Sequence, residues 1–153
     1  MTFVQRDLKQ ANELIDVWYD GVGGALQNGY CVCYDPAEAL THAAGEWAEQ
    51  ERWKTVQKPA TANLALFAGV VVDTRGQSGT TPAIVQICTL KRGNVVSALT
   101  FANMTIGSTM LECVNDKWYL DDTVTFSTKV VALPAETVNT SGAEANAMVF
   151  GLL

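Results

Sequence analysis

One histidine, His42, stands in a chain of 153 residues, and that scarcity removes whole classes of chemistry. A His-based metal site needs several imidazoles, and a Ser-His-Asp or Cys-His relay would have to run through this single residue. His42 lies among small and acidic neighbours and reads as a surface histidine. Basic residues are sparse as well. Ten Lys and Arg stand against sixteen Asp and Glu, for a net charge of −6 and a pI near 4.6. Only Lys91-Arg92 are adjacent, so no clustered surface for neutralising phosphates is expected and nucleic acid is not expected as a direct partner. No apolar run approaches the roughly 18 residues that mark a membrane-spanning helix, and no membrane association is expected. The opening MTFVQRDLKQ lacks the basic-then-apolar order of a secretory signal, so a cytoplasm-like compartment of synthesis is expected.

The C-x₂-C spacing of zinc sites is also missing. Cys31, Cys33, Cys88 and Cys113 are read as small buried hydrophobes with free thiols, a disulfide through Cys88 or Cys113 remaining open. Cys31 and Cys33 are expected on opposite faces of one strand, and so not as joint ligands of one metal. No metal or cofactor is expected. The Gly-rich Arg75-Gly76-Gln77-Ser78-Gly79-Thr80 has neither the Lys of a phosphate loop nor a helix after it, and reads as a hairpin loop. Asp121-Asp122 read as solvated turn formers, and Glu46, Glu49 and Glu51 as a solvated face.

What is present is β-sheet material. The chain is 48% apolar and 17% charged, the balance of a folded globular domain. Its clearest signal runs from Val56 to Gly93. There the apolar runs Leu66–Val72 and Ala83–Cys88 flank a loop of Gly, Thr, Ser and Pro. Tyr30–Tyr34 follows the turn dipeptide Asn28-Gly29 and stops at Asp35-Pro36, and Lys54–Lys58 is a further short strand. Beyond Gly93, strands are expected at Val95–Phe101, Thr109–Val114, Lys117–Leu120, Val124–Leu133 and Ala147–Leu153.

Two segments depart from this pattern. Over residues 2–19, Phe3, Val4, Leu8, Ala11, Leu14, Ile15 and Trp18 recur at helical spacing, although Ile15–Tyr19 would also suit a strand. Residues 36–53 are rich in Ala and acids and read as an exposed, partly helical insertion carrying Trp47 and Trp53. The expected architecture is mainly β: an antiparallel β-barrel or sandwich over residues 21–153, with an N-terminal arm or short helix over 1–20 and the insertion at about 36–53. No internal repeat is evident.

Four stretches carry a resemblance: Val17–Gly21, Ala25–Asp35, Lys58–Asn63 and Phe67–Val70. Together they resemble the head decoration, or cement, proteins that tailed bacteriophages encode beside the major capsid protein. The order is similar: a Gly-aromatic-Cys-x-Tyr strand, a variable charged insertion, a Lys-Pro-x-Thr-x-Asn turn and a Phe-Ala-Gly-Val strand. The resemblance implies a non-enzymatic virion protein, made in the host cytoplasm and placed on the outer capsid surface. Its implied partners are the major capsid protein and itself, as a homotrimer. Phe3, Leu8, Trp18 and Tyr19 are the expected capsid or subunit contacts; Trp47 and Trp53 read either as packing against the barrel's flank or as further interface anchors. For the first four residues, plugging the barrel's own end is an equal alternative.

Two other function classes compete. A small-ligand or carbohydrate-binding β-barrel would use Trp47, Trp53 and Trp118 as stacking platforms on one exposed face. A hydrolase would need Asp121, Asp122 or Glu112 paired across a cleft.

Overall fold

The computed structural model describes residues 13–37, 54–101, 103–106, 108–123, 130–139 and 142–153. Ten strands form there: β1 Leu14–Tyr19, β2 Cys31–Tyr34, β3 Thr55–Gln57, β4 Phe67–Asp73, β5 Ala83–Cys88, β6 Val95–Thr100, β7 Met110–Cys113, β8 Leu120–Thr123, β9 Val130–Pro134 and β10 Ala145–Gly151. They close into two five-stranded barrels rather than one. The first runs β1-β3-β2-β4-β5 and the second β10-β6-β8-β7-β9.

The barrels share one topology, strand for strand, with β1 to β5 matching β6 to β10 in order. In each, the first and third strands pair in parallel, as Tyr19 with Val56 and Thr100 with Leu120, while the other pairs are antiparallel. Registers agree residue by residue: Val17 faces Val85 where Ala98 faces Ala147, and Val70 faces Cys88 where Leu133 faces Phe150. One irregularity coincides as well, a register shift falling at Val32/Cys33 in β2 and at Leu111/Glu112 in β7, whereas the shift at Val71/Asp73 in β4 is found in the first barrel alone among the described residues. A bulge re-aims a strand, so keeping it at the same step preserves the same barrel curvature. The chain is therefore an internal duplication at the level of fold, where none is evident in sequence.

Matched interior positions fill each barrel. Val17, Tyr19, Val32, Val56, Val85 and Ile87 form the first core. Ala98, Leu111, Leu120, Ala147 and Val149 line the second. Each barrel is plugged by a residue from the loop after its first strand. Leu26 donates its N–H to the Gln77 side-chain carbonyl at 2.7 Å, and Met104 exchanges backbone hydrogen bonds with Val138. Gln77 also donates to the Gly79 and Thr81 carbonyls, both at 3.0 Å, so one buried amide organises the hairpin loop between β4 and β5.

The structure corrects three expectations. Leu14–Tyr19 is a strand paired over its whole length with β5, not part of a helix or arm. Val17 and Tyr19 point inward at period two, and the cross-strand partners decide the conformation over the helical spacing of Leu14, Ile15 and Trp18. Asp121 and Asp122 lie within β8 rather than on a turn, paired with Glu112 and Leu111; the turn comes earlier, where Asp116 adopts φ 58°. Cys31 and Cys33 share one face, because strand positions two apart point the same way, and Val32 between them points into the first barrel. The helical reading of residues 2–12 and nearly all of the 36–53 insertion lie outside the described residues.

Candidate functional site

Trp118 follows the tight turn after β7, and that turn carries it out of the second barrel onto the first. Its ring stacks on Tyr30, centroids 5.0 Å apart and planes 16° off parallel, and meets Tyr19 edge-on at 6.3 Å. Lys58 Nζ stands 5.4 Å from the Trp118 ring centroid and pairs with Asp116 at 2.9 Å, which holds the Asp116 carboxyl below its usual range. The Trp118 carbonyl accepts the Cys31 N–H at 2.9 Å. A tryptophan engaged with Tyr30, Tyr19 and Lys58 is a clamp between barrels. It does not offer the open face a sugar ring needs.

Beside the clamp, Cys113 comes against Cys31 and Cys33. Burial pushes the Cys113 thiol well up, and the two neighbouring thiols add to that shift. All four cysteines are buried and free. A raised thiol such as that of Cys113 is a poor nucleophile and a poor ligand, and no group of three metal-binding side chains is found among the described residues. The same-face placement nonetheless removes the argument from opposite faces. Here the three thiols fill space where the second barrel seats on the first.

A cleft of about 290 Å³ opens at the same junction, between Gly29 and Val72 on one side and Ser97 and Asn146 on the other. Its lining carries no charged side chain. The Gly29 N–H donates to the Val71 carbonyl at 2.8 Å and its own carbonyl accepts the Leu99 N–H at 2.7 Å, stitching the barrels at the cleft floor.

On the far side of the second barrel, Glu112 and Asp121 are direct cross-strand partners. Desolvation first, then the Asp122 and Glu112 charges, raises the Asp121 carboxyl, while a backbone hydrogen bond from Asp122 opposes the shift. This is a strained like-charge pair on a sheet surface. The same surface carries Met110, Leu133 and Phe150, all partly exposed and outside both core clusters. Sequence reasoning passed over these three. The signal for them was the period-two alternation of β7, β9 and β10, in which they fall opposite the inward residues.

Of the expected contact residues, Phe3, Leu8, Trp47 and Trp53 lie outside the described residues, as does His42. Trp18 is half-buried on the outer side of β1, paired with Ile84 of β5, which is 40% exposed. Tyr19 is not a surface contact. It is wholly buried, donating its hydroxyl to the Gly24 carbonyl at 2.7 Å or the Val22 carbonyl at 3.0 Å, and so plugs its own barrel. No protein-family model matches the chain, and no curated protein matches it in sequence.

Proposed function

We propose that this chain is a non-enzymatic structural protein of a tailed-phage virion, a decoration or cement protein that binds the outer surface of the head and stabilises the shell. The observation that carries the reading is where its recognisable stretches fall. Val17 and Tyr19 are inward residues of β1, Leu26 is the plug, Cys31–Tyr34 is β2 and Phe67–Val70 opens β4. In the Lys58–Asn63 turn, the Asn63 side chain accepts the Ala60 N–H at 2.7 Å. The stretches that resemble decoration proteins thus make up the frame of the first barrel, the part that related proteins would have to keep.

A shell-bound protein of this kind acts by linkage: binding the assembled shell and not its parts shifts the equilibrium towards the shell. Many weakly held copies on one lattice add up. Closed barrels suit crowding on such a surface, because they leave no strand edge to template aggregation. The partners in this reading are the major capsid protein and further copies of the chain, as a homotrimer on the outer surface. The segment before Glu13, with Phe3 and Leu8, reaches onto the capsid.

Quantitative mass spectrometry of purified virions tests the reading. A fixed, high ratio of this chain to major capsid protein is expected. Its absence, or a handful of copies per particle, overturns the proposal and promotes a small-ligand module working through the junction cleft.

A further inference from the structure

We infer that Cys113 of the second barrel and Cys31 or Cys33 of the first form a redox-sensitive lock, closing into a disulfide between the barrels when a small-molecule disulfide is supplied as oxidant. The inference stands apart from the capsid reading and is tested on purified protein alone.

The placement follows from the strands. Cys31 opens β2 and is held by the connection that leads into β8. The Trp118 carbonyl accepts its N–H at 2.9 Å, and the Tyr119 carbonyl accepts its thiol at 3.5 Å. Leu120, the next residue, is the cross-strand partner of Cys113 at the end of β7. Cys113 is thus one strand away from the residues that hold Cys31. Its thiol is in hydrogen-bonding contact with those of Cys31 and Cys33. All three belong to one apolar cluster, Cys31 and Cys33 with no exposed surface and Cys113 with 3%.

Three thiols make one disulfide and leave one thiol over, and geometry selects the pair. Cys31 and Cys33 stand two apart on one strand, roughly 6.6 Å between Cα atoms, near the upper limit of the span a disulfide bridges. Their side chains also run side by side rather than towards each other. Cys113 comes from the other barrel and meets both, so it is the shared member. Cys88 lies in the same cluster, but its thiol donates to the Thr89 carbonyl at 3.7 Å and it is not among the thiols that act on Cys113. Cys88 takes no part in the lock.

The chemistry is thiol–disulfide exchange. One protein thiol gives up its proton and attacks the small disulfide, expelling a small thiolate that takes up the proton. The second protein thiol then attacks the mixed disulfide and expels the other small thiol in the same way. Two protein thiols are oxidised, one small disulfide is reduced to two thiols, and one S–S bond is exchanged for another. Burial keeps the Cys113 thiol protonated, so the exchange is slow at neutral pH and quickens as pH rises. Because the new bond joins residues far apart in sequence, it restrains the unfolded chain far more than a Cys31–Cys33 bond would. Oxidation would also hold the Trp118 contact shut, since Cys113 and Trp118 flank the same tight turn.

A redox titration with oxidised and reduced glutathione tests this, approached from both directions at mildly alkaline pH, in native buffer and in concentrated urea. Alkylation of the remaining thiols and mass spectrometry of the peptides identify the linked residues. In native buffer Cys113 is expected to link to Cys31 or Cys33 while Cys88 is alkylated throughout. Half-formation is expected at a glutathione ratio roughly tenfold more reducing than in urea, because the fold holds the thiols together. The oxidised protein should melt higher than the reduced one. Cys113→Ala should lose both the link and the gain in Tm, and Cys88→Ala should keep both. Circular dichroism confirms folding, and a double Cys31→Ala, Cys33→Ala variant replaces Cys113→Ala if that variant does not fold. A Cys31–Cys33 bond, glutathione adducts alone or four free thiols at every ratio overturns the inference, as does a link that forms no more readily in native buffer than in urea.

Discussion

Trp118 of the second barrel lies stacked on Tyr30 of the first, with ring centroids 5.0 Å apart. This contact and the Cys31–Trp118 backbone hydrogen bond tie two closed barrels into one body. Removing a large, partly buried aromatic from such a position costs about 2–4 kcal/mol. Trp118→Ala is therefore expected to lower the unfolding free energy by that amount, moving the urea midpoint down with it, and to separate the unfolding of the two barrels. Tyrosine fluorescence and far-UV circular dichroism should then cease to superimpose. Coincident transitions at the wild-type midpoint would show that the clamp contributes nothing.

Gly69 marks a close approach of β4 to β5 inside the first barrel. A Cβ there would stand 2.4 Å from the Cys88 carbonyl oxygen, which is backbone and cannot swing aside. Gly69→Ala is expected to force β4 away from β5 and to destabilise by about 2–3 kcal/mol. Gly76 is the control: its φ of 78° is left-handed, but an added Cβ meets nothing within 4 Å. Gly76→Ala should cost only the backbone term, about 1–2 kcal/mol. Equal losses for the two would refute the steric account.

How much of this was legible in the sequence depends on where the information sits. Ala83–Cys88 and Phe67–Asp73 announce themselves through β-branched runs bounded by turn residues, and they form nearly as expected. β1 was obscured because Leu14, Ile15 and Trp18 satisfy helical spacing while Ile15, Val17 and Tyr19 satisfy strand spacing; only the long-range partner β5 decides between them. β8, with the sequence Leu-Asp-Asp-Thr, has almost no strand signal of its own and is held by its pairing with β7. The duplication was invisible because it survives in register and not in residue type: Cys31, Val70 and Cys88 stand where Met110, Leu133 and Phe150 do. The exposed apolar row could not be recognised without knowing which face each strand turns outward.

Asp121 carries a pH dependence with a defined sign. Its carboxyl is raised above the ordinary 3.8, chiefly by desolvation. A raised acid favours the protonated folded state, so its contribution to stability is full below the ordinary value and is lost as pH rises through the folded value. At neutral pH the residue is thus a liability. Asp121→Asn should raise Tm at pH 7, and the gain should shrink to nothing as pH falls below about 4. The side-chain carbonyl of Asn can still accept the Asp122 N–H, so the fold is retained. A gain that persists unchanged at low pH would point to a cause other than charge.

The alkaline limb should be set by buried acids that resist ionising. Cys88 and Cys113 are both pushed above the ordinary 9.0 by burial, and Tyr19 is pushed above 10.0 by burial and then by Asp20. Each contributes stability that is complete below its ordinary value and declines as pH rises past it, because the unfolded chain ionises first. Tm is expected to hold to about pH 9 and then fall, with Tyr19→Phe flattening the upper part of the decline. With all four thiols free, a reductant should leave Tm at neutral pH unchanged. A large loss on reduction would reveal a disulfide, and a flat alkaline limb would remove these groups from the account.

The boundary of the first barrel determines how the N-terminal segment should be tested. Leu14, Ile15 and Asp16 pair with Cys88, Ile87 and Gln86, and the Asp16 carboxylate binds Arg75 at 2.6 Å. A deletion reaching residue 16 would strip half of β1 and confuse unfolding with lost binding. Glu13 must stay as well, since its carbonyl accepts the Thr89 N–H at 3.0 Å and its carboxylate pairs with Lys91 at 2.5 Å. Deleting residues 1–12 removes Phe3 and Leu8 while keeping every one of these contacts. The truncated protein is expected to melt as the intact chain does, yet to co-sediment with phage heads at least tenfold more weakly. Undiminished binding by a folded truncation would exclude Phe3 and Leu8 as capsid contacts and shift attention to the barrel surface itself.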